Sequence, residues 1–338
     1  MSGLKKITVA IGMLLFISLL FSCKFNDLVE HEGIIYELVE QNNTSKSFYR
    51  VKSASNDIEK AVIASEINGI TVTDIGEGAF NGCTELTSVS LPDGLTYIDS
   101  YAFENCISLT KLKLPGSLKH IGADAVLGCI NLSEISVDEN NQHFITIDGN
   151  LYSEEGKKFE IYLPSKTDKT FELPKVVESI EPYAFCENKY ISSIILNYGI
   201  KNIEYEAFKN CESLESLELK NGIERIASFA FSNCKKLKEL KVSQTVKYIG
   251  ARAFENCESL ESIVLPIGLE TIDNVAFANC KKLTSIYIPI SVKTIGQRVF
   301  SGCSRLTIYC EVANAPSGWT SEWYGDAAKI VWEVKYEI

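Results

Sequence analysis

The sequence is poor in the residues on which most enzymes depend. It holds three histidines, His31, His120 and His143, and none stands at a metal-ligand spacing from another histidine or from a cysteine pair. A Gly-x-Ser-x-Gly elbow, a phosphate-cradling glycine loop and a His-Glu-x-x-His pair are all missing, so hydrolase, nucleotide and zincin chemistry lack their usual residues. Positive charge is in deficit. The 33 basic and 44 acidic side chains leave a net charge of −11 spread along the chain, which repels phosphate backbones and excludes nucleic acid as a partner. No cofactor and no enzymatic activity are expected. What the 338 residues do have is 46% apolar content, enough for a large core in a chain longer than one closed core usually reaches. An elongated or multi-part architecture follows.

The chain starts with a short positive region, Lys5 and Lys6, and an apolar run over residues 7–21, 15 residues in all. That is short for a spanning helix and typical of a leader. Leu20-Phe21-Ser22-Cys23 resembles a bacterial lipobox, in which a small residue precedes a cysteine that receives diacylglycerol before the leader is removed. Phe21 is bulkier than the residue usual at its position, which leaves an uncleaved anchor as the alternative; either route exports the protein. Lipidation is assigned to Cys23, with acyl chains contributing about 0.8 kcal/mol per buried CH₂.

Self-comparison gives the strongest signal. Isoleucines recur at Ile75, Ile98 and Ile121, then at Ile180, Ile203, Ile226, Ile249, Ile272 and Ile295. Every step is 23 except the one from 121 to 180, which is 59, one period plus 36. Fixed periods in this range mark stacked repeats. In the repeat beginning at Ile249, Ala253, Phe254, Cys257 and Leu260 have the spacing of one face of a short helical turn. The residue before the repeat cysteine is Gly82, Asn105, Gly128, Asn210, Asn233, Asn256, Asn279 or Gly302, the two types that tolerate positive φ, which reads as a helix C-cap.

After the turn the pattern alternates, as in Ser262-Ile263-Val264-Leu265-Pro266, with Ile263 and Leu265 inward. A second extended stretch such as Val292-Lys293-Thr294-Ile295 follows a proline or glycine corner. One repeat therefore makes one coil, and stacked coils bury what a single coil cannot. His120 falls on the outward side of the second strand. Eight of the eleven cysteines, at 83, 106, 129, 211, 234, 257, 280 and 303, share one repeat position, which argues for packed free thiols. Bridges between neighbouring coils remain open on distance alone.

These residues resemble the BspA-like subclass of leucine-rich repeats, whose 23-residue unit carries the same Ala-Phe-x-x-Cys-x-x-Leu core, over about residues 75–310. The third and fourth repeats depart from it, with Val126 in place of phenylalanine and Asn188 in place of cysteine. The expected fold is an α/β solenoid, a right-handed leucine-rich-repeat stack with short strands and short helical turns, a β-rich N-terminal cap and an inserted β-hairpin. The expected division is a leader at 1–22, a lipid-anchored linker and N-terminal β cap at 23–74, repeats one to three at 75–137, a β insertion at 138–173, repeats four to nine at 174–310 and a C-terminal cap at 311–338. The insertion reads as Phe144-Ile145-Thr146-Ile147 and Leu151-Tyr152 about an Asp148-Gly149-Asn150 turn, with a further strand at 159–163. It is either a structural patch or a recognition loop.

Outward positions carry whatever specificity exists. The candidate ligand face is Lys113, Glu218, Lys241, Val264 and Tyr287, and a candidate aromatic contact is Trp319, Trp323 and Tyr324, unless these belong to the C-terminal cap. The resemblance implies a surface-exposed, lipid-anchored adhesion or protein-binding module at the bacterial outer membrane or cell surface. Its partner would be a host extracellular-matrix or envelope protein, with the chain itself a monomer and contacting the membrane through its anchor. The alternatives are a periplasm-facing structural lipoprotein that scaffolds a partner, and a glycan-binding accessory protein.

Overall fold

A computed structural model describes residues 28–40, 47–327 and 329–335, so the leader and Cys23 lie outside the described residues. The chain divides into two compact units, Met1–His143 and Phe144–Ile338. Both are β-solenoids in which each coil contributes two short strands to parallel ladders. In the first unit Tyr97–Ile98 pairs with His120–Ile121, and Lys111–Leu114 pairs with Glu134–Val137. In the second, one ladder runs through Ser179–Ile180, Asn202–Ile203, Arg225–Ile226, Tyr248–Ile249, Thr271–Ile272 and Thr294–Ile295. The other runs through Thr170–Glu172, Ser193–Ile195, Ser216–Glu218, Glu239–Lys241 and Ser262–Val264.

Because the sequence period equals the pairing offset, like side chains stack on like. The six isoleucines of the first of these two ladders are all buried. Phe185, Phe208, Phe231, Phe254, Phe277 and Phe300 form a column with centroid spacings of 5.0, 5.1, 5.3, 5.2 and 5.7 Å and nearly parallel rings. At such spacings near-parallel rings are offset, the arrangement that their quadrupoles favour.

The third side of the coil corrects the expectation of an α/β fold with short helical turns. Among the described residues there is no α-helix, and the one helical element is a 3₁₀ turn, Glu154–Gly156. Between Gly250 and Cys257 the backbone donors alternate. The N–H groups of Ala253, Glu255 and Cys257 donate three residues back within the coil, whereas those of Arg252, Phe254 and Asn256 donate to the carbonyls of Asn274, Ala276 and Ala278 in the next coil. An α-helix would keep every one of these donors inside its own turn. Left-handed residues four apart also interrupt helical winding, at Arg252 and Asn256 (φ 57° and 60°) and again at Val275 and Asn279 (62° and 59°). The Gly or Asn before each repeat cysteine does have positive φ, but it sits inside a laterally bonded turn and caps no helix.

The repeat cysteine has a bonding role as well as a packing one. The thiol of Cys257 donates to the carbonyl of Phe231 in the preceding coil at 3.2 Å, and Cys106, Cys129, Cys211, Cys234, Cys280 and Cys303 repeat this contact at 3.0–3.3 Å. All ten described cysteines are free thiols. Burial pushes the thiol of Cys83 up to about 11 and that of Cys310 up to about 12, and holds Cys211, Cys257 and Cys280 well above the usual range.

Both units begin with antiparallel structure. In the first, Leu28–His31, Ile34–Glu40 and Ser47–Ala54 form a meander whose last strand joins Ile70–Ile75 in parallel. In the second, Asp148 and Gly149, both at positive φ, turn Phe144–Ile147 back onto Asn150–Ser153. Lys158–Ile161 then pairs antiparallel with that hairpin and parallel with Ser179–Ile180. Phe159 stacks on Phe185 at 4.7 Å, and Phe171 lies one coil below Ile194, so residues 158–172 form a degenerate coil inside what the period alone reads as an insertion. At the far end Trp323 meets Phe300 edge-on at 6.2 Å, and the indole N–H of Trp319 donates to the Val292 carbonyl at 3.1 Å.

Phe254 is fully buried in the middle of its column. Phe254→Ala is expected to cost about 3–5 kcal/mol in chemical denaturation, the range for truncating a core aromatic. A cost below 1 kcal/mol would contradict the stacked column.

Candidate functional site

The surface able to vary without disturbing the stack is the outer side of the five-stranded ladder. Its inward row, Ile194, Leu217, Leu240 and Ile263, is buried, while Ile195, Glu218, Lys241 and Val264 alternate outward on neighbouring strands. Glu218 and Lys241 lie directly across from one another, a pairing of opposite charge that favours this register.

The strand then turns a corner. In several coils a proline stands there, and its carbonyl accepts the N–H three residues on, as in Pro174 with Val177, Pro266 with Leu269 and Pro289 with Val292. Three successive coils have Asn197, Lys220 and Ser243 instead. The Asn197 amide donates to the carbonyls of Pro174 and Val177 at 2.7 and 3.1 Å, and its oxygen accepts the Gly199 N–H at 2.6 Å. The Thr245 hydroxyl oxygen accepts the Gly222 N–H at 3.0 Å, and its O–H donates to the Ile223 carbonyl at 2.8 Å. At Asn197 and Lys220 side chains thus take part in the turn, whereas the Ser243 carbonyl still accepts the Val246 N–H at 3.2 Å as a proline corner does.

Two adjoining depressions result. One, about 450 Å³, lies between Leu173, Lys175, Ile195, Tyr198 and Lys220. The other, about 270 Å³, opens over Ser193, Ser216, Glu218, Glu239 and Lys241. Lys220 borders both, only 19% exposed at its side chain, with its ammonium 2.6 Å from Glu218 and 5.4 Å from the centre of the Tyr198 ring. The Lys220 ammonium holds the Glu218 carboxyl below the usual range. Tyr198 itself is 76% exposed, far more than a ring adopts for packing alone.

The sequence-derived candidates separate. Glu218, Lys241 and Val264 do lie on neighbouring strands. Lys113 belongs to the first unit, exposed and 4.0 Å from Asp138. Tyr287 is half-buried and its hydroxyl donates to the Val334 carbonyl at 2.9 Å, so it is tied to the C-terminal segment and does not stand free on a ligand face. Trp319 and Trp323 are 6% and 2% exposed and pack on each other at 4.8 Å, which removes both from an aromatic contact surface and leaves Tyr324 alone exposed. The reason is that the last coil offers an uncovered Phe300, on which Trp323 packs edge-on while Trp319 packs on Trp323 and bridges to Ile295. Tyr198 and Lys220 were missed; the interrupted run of corner prolines was the signal that could have found them.

Among the described residues, no group of three or more His, Cys, Asp or Glu is placed to hold a metal ion. His120 stacks on Tyr97 at 4.3 Å on the second-strand ladder of the first unit. The most perturbed carboxyl is Glu160. Burial pushes it up to about 7, the Ser153 hydroxyl that donates to it opposes this, Glu181 and Glu154 add to the shift, and Lys158 moderates it. Folding therefore favours its protonated form. The contribution to stability is complete below the ordinary carboxyl value of 4.5 and is lost as pH rises through about 7. Glu160→Gln should accordingly unfold level with the parent near pH 4.5 and at higher temperature or denaturant than the parent at pH 8. An equal difference at both pH values would rule out this titration.

A family model described as a BspA type leucine-rich repeat region, with six copies, matches residues 54–172 and 164–283. No curated protein matches the chain. The solved structure of the pneumococcal vaccine antigen PcpA superposes with a TM-score of 0.63 at 18% identity, covering 90% of this chain and 98% of that one. A leucine-rich repeat protein from Eubacterium ventriosum gives a TM-score of 0.55 at 20% identity over 87% of this chain and 97% of its own. Both are likenesses of fold.

Proposed function

Because this chain belongs to the BspA-type leucine-rich repeat family, we infer that it is a non-catalytic scaffold that binds a protein partner, anchored by a lipid on Cys23 and displayed at the bacterial surface as an adhesion module. The observation that carries this reading is the outward row Ile195, Glu218, Lys241 and Val264 on a rigid ladder, beside the uncovered Tyr198. A parallel ladder fixes the backbone of these residues at about 4.8 Å intervals, so no backbone ordering is needed when a partner meets them. Mixed charge, aliphatic and aromatic groups on one surface suit a protein better than a glycan. Burial of Trp319 and Trp323 removes two of the three rings on which the glycan reading rests.

Two measurements test the reading. Growth with labelled palmitate should label the protein, and Cys23→Ala should abolish the label while the chain is still made; label retained by Cys23→Ala would place the acyl group elsewhere. A soluble chain from Lys24 to Ile338 should bind an extracellular-matrix protein saturably. Replacing Glu218, Lys241 and Val264 together by alanine should weaken that binding by about tenfold or more, since a few residues carry most of an interface's energy and the loss of one anchor, at about 1.4 kcal/mol or above, is already tenfold. Capture of envelope proteins alone would replace adhesion by an envelope scaffold, and undiminished binding by the triple variant would move the contact off this face.

A further inference from the structure

The pair of depressions beside Lys220 has features that the rest of the ladder lacks. Corner prolines give way to Asn197, Lys220 and Ser243 in the coils that border it, and the exposed ring of Tyr198 stands next to the uncovered side chain of Ile195. Leu173 and Leu196 are buried beneath, forming an apolar floor. Two ammonium groups flank that floor. Lys175 occupies the same corner position one coil before Tyr198, and among the described residues it has no carboxylate partner. Lys220 is held in place by Glu218 and by the Tyr198 ring. Glu172 is the single carboxylate lining the larger depression, and because Glu218 already pairs with Lys220, Lys175 is the ammonium left open to a carboxylate from outside.

The dimensions select the shape of an occupant. The depressions together run across four neighbouring strands, Thr170–Glu172, Ser193–Ile195, Ser216–Glu218 and Glu239–Lys241. Three steps of about 4.8 Å make about 14 Å, the length of about four extended residues at about 3.3 Å each. The site is open along this length, as an extended chain requires, and is not a closed pocket for a small molecule.

We propose that this groove is a peptide-binding site that takes an extended segment of a protein partner in which an apolar or aromatic side chain stands beside a carboxylate. The apolar group packs on Ile195 and Tyr198 over the Leu173 and Leu196 floor, and the carboxylate meets the ammonium group of Lys175. Exposed aromatics paired with cations are the usual anchors of such contacts. This assignment rests on the protein-binding reading above and specifies its ligand.

The test is to pan a phage-displayed random heptapeptide library against the immobilised full chain and to measure the selected peptides, as synthetic free peptides, by fluorescence anisotropy. Enriched peptides should place Asp or Glu next to an aromatic or branched aliphatic residue. Tyr198→Ala and Lys175→Glu should each weaken them by about tenfold while leaving thermal unfolding unchanged, because both side chains are exposed. Lys113→Glu, in the other unit, should have no effect. Enriched peptides that are basic or uncharged would overturn the proposal, as would binding indifferent to Tyr198→Ala and Lys175→Glu. So would equal affinity for a free aromatic carboxylic acid, which would make the site one for small molecules. A matrix protein that binds the parent and the Tyr198→Ala chain alike, but fails on the triple variant of Glu218, Lys241 and Val264, would leave the scaffold reading standing while this groove falls.

Discussion

Everything in the second unit depends on where the backbone donors of the turn go. Arg252, Phe254 and Asn256 send their N–H groups to the next coil, and the same alternation recurs at Phe229, Phe231 and Asn233 and at Val275, Phe277 and Asn279. Each such bond contributes about 1 kcal/mol net, and a buried donor left without a partner costs about 1–3 kcal/mol. A coil is therefore satisfied only when a neighbour is present. This explains why the repeat must be kept at one length. A shift of one residue between coils would leave these donors facing N–H groups instead of carbonyls, and would put polar side chains where the Phe column requires rings.

The same constraint explains residue choices that look unfavourable in isolation. Left-handed φ is costly for a β-branched residue, yet Val275 adopts 62° because lateral bonds from Val275 to Gln297 and from Phe277 to Val299 hold the turn on both sides. Asparagine before the cysteine tolerates the left-handed position and adds a second ladder. The Asn256 amide donates to Asn233 and that of Asn279 donates to Asn256, both at 2.8 Å. Cysteine is chosen over alanine or valine at the next position because its thiol reaches the Phe carbonyl of the coil before, an acceptor that already takes the N–H of that coil's own cysteine.

Much of this was legible in the sequence, and each error has its own physical cause. The 23-residue spacing located every strand of the regular coils, since inward Ile and Leu positions follow from period-two alternation, and Asp148-Gly149 announced a hairpin turn. The helical turn was wrong because Ala253, Phe254, Cys257 and Leu260 must face one core whether the backbone winds as a helix or as bonded turns. Side-chain periodicity reports the face and is silent about where the N–H groups point. The degenerate coil at 158–172 escaped because Phe159 replaces the isoleucine, and its strand lies 21 residues before Ser179–Ile180 instead of 23. The buried tryptophans were ambiguous because a cap and a binding surface use the same residue type.

The groove was hidden for a related reason, and the way it emerges applies to repeat folds in general. Inward positions and turn positions are fixed by stacking, so their variation reports only packing. A corner is different, because proline meets the needs of its own turn locally. When Asn197 replaces it, a side chain must bond across to the Pro174 and Val177 carbonyls, and when Lys220 replaces it, Thr245 of the next coil must accept the Gly222 N–H. At these two corners the turn relies on side chains of neighbouring coils. The exchange places a largely covered lysine and an uncovered tyrosine side by side on the outer face. The uncovered Tyr198 ring beside that lysine, at corners without proline, is the surface feature that a binding role explains and stacking does not.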